Sequence, residues 1–317
     1  MPEIPNLEDA VEFAGDPEQP SPPRSSRLRR GWRCAAAIMA GPVLLVVLLP
    51  QIVSAEQQLP PSPPSPAPAP AGMVSAPAGE FFMGCNEAVD KNCAADEKPG
   101  RTVYVNAFAV DMYEVTGVDY RRCVEAGKCT APYTNGSRNW YEPWHATHPI
   151  NEVDWNQADA YCRWAGKRLP TEAEWEKAAR GTDGRVYPWG SEWDDEKANM
   201  RGGTVAVGLH VAGRRRGAYR GKSTRGETVA VGLHVAGASP YRVQDMAGNV
   251  WEWTADWYDA AYYQNGPTQS PSGPKTGTFR SVRGGSWNSH PLLGRASSRR
   301  GNVPGTHTGL LGFRCAQ

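Results

Sequence analysis

The chain has 317 residues and a formal net charge of +1, with 34 Lys+Arg against 33 Asp+Glu. That balance excludes a bulk electrostatic pull toward nucleic acid or an acidic membrane surface. With 40% apolar residues, 34 Gly and 28 Pro, the composition argues against a helical bundle and for one large, loop-rich domain with appendages. The 12 Trp are read as core and rim packing, since indole area stabilises a fold with little regular structure.

Residues 1–33 are polar and close on a basic run, Arg24, Arg27, Arg29, Arg30 and Arg33. Residues 34–55 are then almost wholly apolar, and the next basic residue is Lys91. This asymmetry keeps the N-terminus cytoplasmic and exports the rest. The dense apolar part reaches spanning length only by continuing through Pro50, and Val53-Ser54-Ala55 resembles a signal-peptidase site. The segment is therefore a transmembrane anchor or a signal peptide cleaved after Ala55. The main domain is extracytoplasmic, and it is membrane-attached, or secreted or periplasmic, accordingly. Residues 56–79 are rich in Pro, Ala and Ser; they are expected to be a spacer, with polyproline II favoured.

A single domain is expected over 80–317. Phe81-Phe82-Met83-Gly84 opens it, and 101–110 alternates as a strand with Val103, Val105, Ala107 and Ala109 on one face. A short helix follows near Asp119–Ala126. Trp155, Ala158, Tyr161, Cys162 and Ala165 recur at helical spacing, with Asp154 or Asn156 as cap and Gly166 as stop. Thr171 and Glu174 make a capping box for the next helix, whose apolar stripe is Trp175, Ala178 and Ala179, and Gly181 ends it.

Next comes a repeat. Thr204–Gly213 (Thr-Val-Ala-Val-Gly-Leu-His-Val-Ala-Gly) recurs without change as Thr228–Gly237, with a strongly basic stretch between the copies. Identity of this kind indicates a recent local duplication rather than a repeat architecture. Residues 204–227 are read as an inserted surface loop, the alternative being a basic anion-binding arm.

Of seven cysteines, Cys34 lies in the apolar segment. Cys85, Cys93, Cys123, Cys129, Cys162 and Cys315 remain, an even number suited to disulfides in an oxidising compartment. Cys85 with Cys93, and Cys123 with Cys129, would each close a short polar loop. A zinc site is the alternative, but no Cys-x-x-Cys occurs.

Three stretches near the C-terminus carry the functional signal: Asp245-Met-Ala-Gly-Asn-Val-Trp-Glu-Trp253, Arg283-Gly-Gly-Ser-Trp287 and Gly312-Phe-Arg-Cys315. With Ala165-Gly-Lys-Arg-Leu-Pro-Thr-Glu-Ala-Glu-Trp-Glu176 and Tyr187-Pro-Trp-Gly190, they resemble the formylglycine-generating enzyme (sulfatase-modifying factor) family. The resemblance covers about residues 79–317 and implies an α+β, C-type-lectin-like domain with little regular secondary structure. It also implies a Cys162–Cys315 disulfide and an oxidase that holds copper by two cysteines. Counted from Gly284-Gly285-Ser286, those two positions are Ser289 and Gly294. Cu(I) is soft and needs thiolates; a serine hydroxyl and a glycine do not replace them, so copper is not expected. Trp287, Asn288 and His290 then outline the pocket without its metal.

Calcium is expected. Ca²⁺ takes six to eight oxygens, and a tight Gly-Asn turn between two carboxylates can supply several. The resemblance assigns the side chains of Asp245 and Glu252 and the carbonyls of Gly248 and Val250. The plain alternative pairs Glu252 with an arginine. A second, weaker site falls on Asn199 and Met200. Three functions compete. The first is a non-oxidase binding or accessory module for a protein or peptide ligand. The second is a formylglycine-generating oxidase acting on sulfatase cysteines. The third is a variable ligand-binding protein of a diversity-generating retroelement. Such proteins are Asn-rich in the last stretch, whereas only Asn288 and Asn302 lie between Trp287 and Gly312.

Overall fold

The computed structural model describes residues 69–133, 143–200 and 227–317. The basic N-terminal segment, the apolar segment 34–55, most of the spacer and nearly all of the 204–227 insert lie outside the described residues. No helix among the described residues is long and apolar enough to cross a membrane.

The domain mixes short strands and helices in an α+β arrangement. Strands β1 (Met73–Ala76) and β4 (Phe108–Asp111) pair antiparallel, as do β2 (Gly79–Met83) and β3 (Arg101–Val105). Two expectations are corrected here. The Pro/Ala-rich spacer does not run to residue 79, because Met73 and Ala76 are buried against β4. The expected single strand over 101–110 is two strands. Val103 and Val105 point inward in β3, but Phe108 and Val110 do so in β4. The inward parity changes at Asn106-Ala107, where the chain leaves β2 to meet β1.

Helix α1 (Gly117–Glu125) is capped by Thr116, whose side chain accepts from Asp119 N. Helix α2 (Trp155–Trp164) carries a full capping box made by Asp154 and Gln157. Helix α3 (Glu172–Arg180) has the expected Thr171–Glu174 box and stops at Gly181, φ +70°. Its apolar stripe understates its burial, because all nine residues are inside. Its charged side chains are buried as ion pairs: Glu172 with Arg299, and Glu176 with Arg180 and Arg283. Lys177 reaches the carbonyls of Pro77 and Gly79 and fastens the N-terminal strands to this helix.

The sheet that matters for function is four-stranded, in the order β7 (Arg299–Asn302), β6 (Arg280–Arg283), β5 (Trp251–Trp257), β8 (Leu311–Gly312). Glu252 of β5 stands opposite Arg283 of β6 on one side and Gly312 of β8 on the other. The three C-terminal motifs are therefore one piece of sheet seen three times in the sequence. A four-residue helix, α4 (Tyr262–Asn265), follows β5. One core gathers Tyr120, Tyr161, Trp251, Trp253 and Phe313 on α1, α2 and the sheet; a second gathers Phe81, Met83, Val110, Trp175 and Tyr263. The disulfides Cys85–Cys93, Cys123–Cys129 and Cys162–Cys315 are present, the last joining α2 to the residues after β8.

Candidate functional site

The loop leaving β6 turns at Gly284 (φ +94°) and Gly285 (φ +74°). Ser289 folds back on it. Its N donates to Ser286 O at 2.9 Å, and its Oγ accepts from Ser286 N and lies against Ser286 Oγ, both at 3.0 Å. Ser289 is buried, so its hydroxyl is committed to closing the turn. Residues Pro291–Gly294 form a 3-10 turn that His290 caps by accepting from Leu292 N. Of the expected pocket residues, Trp287 is half-buried, with Nε1 on Gly309 O, while Asn288 and His290 are exposed.

Gly294 faces Met200. A Cβ built on Gly294 would lie 2.6 Å from Met200 Sδ; on Gly285, 2.7 Å from Met200 Cε; on Gly248, 2.7 Å from Met200 Cγ. The methionine is 3% exposed, seated among three glycines with Ala198 and Ala247 beside it. The space into which a side chain at position 294 would project is filled. The residues present do not fit a two-thiolate copper centre: one position offers a hydroxyl already bonded, and the other is a glycine under a thioether.

The second expected site lies beneath this loop, and its geometry is different. Asp245 (φ +56°), Gly248 (φ +88°) and Asn249 (φ +62°) form a tight left-handed turn. Asn199 lies against it, its carbonyl accepting from Asn249 N at 2.9 Å. Glu252 is wholly buried; Arg314 Nη2 donates to Oε1 at 2.7 Å, Arg314 Nε to Oε2 at 2.7 Å, and Trp175 Nε1 to Oε2 at 2.8 Å. The arginine pairing weighed as the alternative to calcium is the arrangement observed. Asp245 Oδ2 accepts from Gly232 N. Asn199, expected to serve a separate cation site with Met200, instead bonds Glu227 O and Asn249 Oδ1 through Nδ2.

Glu114 joins this centre without having been singled out in the sequence. It accepts from Asn249 Nδ2 at 2.7 Å and Val250 N at 3.3 Å and is buried. Burial, then the charges of Asp245 and Glu252, hold its carboxyl well above the usual carboxylate range; burial also raises Asp245. Three carboxylates thus share one guanidinium. The only available signal was the Glu114-Val-Thr phrase, which reads as a helix entry. Above Glu114 lies a cavity of about 320 Å³, lined also by Asp111, Asp119, Tyr161 and Lys167. Asp111 pairs with Lys167 and Asp119 with Arg122, and Ala71, Val115 and Val231 add apolar surface to the lining.

The model of the sulfatase-modifying factor enzyme 1-like domain matches residues 58–317. A formylglycine-generating enzyme of Streptomyces coelicolor is 36% identical over 296 residues, covering 77% of this chain and 88% of the relative. A Mus musculus protein named inactive C-alpha-formylglycine-generating enzyme 2 is 31% identical over 289 residues, covering 77% and 85%. Among solved structures, PvdO from Pseudomonas aeruginosa superposes with a TM-score of 0.62 at 26% identity, covering 77% of this chain and 93% of that one. Its likeness agrees with the α+β, C-type-lectin-like architecture.

Proposed function

The chain belongs to the sulfatase-modifying factor enzyme 1-like family, and from that premise we propose that it is a member that binds rather than oxidises: an exported binding or accessory module for a protein or peptide ligand. The observation that carries this reading is the loop 284–294. Ser289 closes a turn, Gly294 has no side chain, and Met200 occupies the space beside it. Cu(I) would find one thioether and no thiolate. Three disulfides support an oxidising compartment outside the cytoplasm, reached through the apolar segment 34–55 as anchor or cleaved signal.

The cavity beside Glu114 is the candidate ligand site, with a lining that mixes apolar residues, Tyr113 and Tyr161, and the paired groups Asp111 and Lys167. Calcium is a second part of the proposal. Glu114, Asp245 and Glu252 crowd around Arg314, burial holds the first two above the usual carboxylate range, and a divalent cation would favour their ionised forms. Asp245 with the carbonyls of Gly248 and Val250 would hold it, while Glu252 stays with Arg314.

The competing reading, an oxidase acting on a sulfatase cysteine, draws on the relatives named formylglycine-generating enzymes. Competition titration with Cu(I) and a chromogenic chelator separates the two. The binding reading predicts no tight Cu(I) site in the oxidised domain; stoichiometric tight binding would favour the oxidase.

A further inference from the structure

The cavity above Glu114 has a wall group that the fold leaves uncommitted. Tyr161 of α2 is 8% exposed, its ring fixed by stacking on Tyr120 at 5.6 Å and by edge contact with Phe313 at 5.4 Å. Buried tyrosine hydroxyls ordinarily find a partner. Those of Tyr120, Tyr258 and Tyr263 do, on Thr130 O, Asp96 and Glu176. The Tyr161 hydroxyl has none among the described residues. After burial itself, Asp119 and Asp111 are the charges that push its pKa up, so it stays protonated. Both carboxylates belong to the cavity wall, which places the hydroxyl on the cavity side.

Lys167 and Asp119 supply the other polar contacts. Lys167 Nζ donates to Asp111 Oδ1 at 2.5 Å, and Asp111 Oδ2 accepts from Cys315 N. An ammonium has three N–H donors, so two remain for a ligand. Its charge is already matched by Asp111, and a neutral carbonyl oxygen suits it better than a second carboxylate. Asp119 accepts from Arg122 and from Thr116 Oγ1. The Arg122 side chain is 66% exposed, and a pair so open to water is weak. Asp119 can therefore take a cationic donor. Val115 and Val231 face the same space, which at about 320 Å³ is small for a ligand pocket. It has room for one residue rather than a length of chain.

Resting on the reading of this cavity as the ligand site, we propose that it takes the N-terminal residue of a peptide: the α-ammonium on Tyr161 Oη and Asp119, the first carbonyl oxygen on Lys167 Nζ, and a small apolar side chain against Val115 and Val231. Only a chain terminus joins these groups. A lysine side chain carries an ammonium without an adjacent carbonyl, and an internal apolar residue carries a carbonyl without a charge.

Val-Gly-Gly amide, its N-acetyl form and free valine are titrated calorimetrically into the full chain. The amide should bind, and acetylation should weaken it at least about tenfold, because hydrogen bonds to a charged group are lost. Free valine should bind less well than the amide. Tyr161→Phe should weaken the amide about fivefold and leave the urea midpoint unchanged, whereas a structural hydroxyl would lower the midpoint on removal. Val231→Trp, which fills the cavity, should abolish binding. No binding of the amide, equal binding of its acetylated form, or valine binding as tightly would each overturn the proposal. If free and acetylated peptide bind equally and Val231→Trp abolishes both, the cavity keeps its role and the N-terminal reading alone falls. If Val231→Trp leaves binding intact, the cavity is not the ligand site and both readings fall.

Discussion

Two neighbouring regions of this domain treat their family motifs in opposite ways. Around Glu252, the motif side chains hold one another: Arg314 grips both carboxylate oxygens, Trp175 adds a third bond, and β5, β6 and β8 align three separate motifs in register. Around Ser289 and Gly294 the motif supplies only a backbone path, fixed by glycines at positive φ and by a serine that bonds its own turn. Side chains at 289 and 294 do not support the sheet. The difference separates side chains that brace the sheet from positions that only shape a turn. Framework residues cannot change without leaving buried charge unpaired, whereas a change at 289 or 294 disturbs only the local turn and the seat of Met200.

The comparison is broken most forcefully at Arg314. Arg314→Met removes the one guanidinium facing Glu114, Asp245 and Glu252. Uncompensated buried charge should cost about 3–5 kcal/mol, read as a large fall in the urea midpoint. A loss no greater than that of a surface arginine would show that the centre does not brace the fold.

Calcium sharpens the same side. Since a ligand held only by the folded state stabilises it by mass action, adding millimolar Ca²⁺ to chelator-treated protein should raise the melting temperature by a few degrees. An Asp245→Asn variant should lose that response. Identical melting with and without the ion would remove calcium from the account and leave Arg314 as the counter-charge bonded to Glu252.

On the other side the effects should be smaller. Ser289→Cys replaces the buried acceptor of Ser286 N with a weaker one and should cost about 1 kcal/mol. Gly294→Cys drives a side chain toward Met200 Sδ and should cost about 1–3 kcal/mol by overpacking. Adding Met200→Ala should recover part of that loss. Restoring both cysteines therefore requires a third change before Cu(I) can be held. If Gly294→Cys is neutral with Met200 in place, the methionine does not fill the site.

Much of this was legible in the sequence. The Thr171–Glu174 capping box is local chemistry and appears in the structure as read, and Asp154 proves to be the cap of α2 where the sequence offered Asp154 or Asn156. The three disulfides follow from the cysteine count, the two short loops and the family likeness. Long-range pairing was harder to see. Nothing in Glu252 or Arg314 alone says that they meet across β5 and β8, and the choice between an ion and an arginine is a tertiary fact. Glu114 was hidden for the same reason, since a carboxylate at a helix entry reads as solvated until the fold buries it. Met200 was read only as a member of the weaker calcium site with Asn199, because a sequence does not show that three distant glycines open a socket for its side chain. The reversal of inward parity between Val105 and Phe108 was missed because each strand is only four or five residues long, too short for periodicity to reveal a break.

The most direct test of the central claim is chemical. Purified domain, its disulfides intact, is incubated with copper, oxygen and a cysteine-containing sulfatase peptide, and the peptide is examined by mass spectrometry. The account predicts unmodified cysteine, because Ser289 and Gly294 present no thiolate pair. Conversion of that cysteine to formylglycine by the unaltered chain would contradict it and make the domain an oxidase.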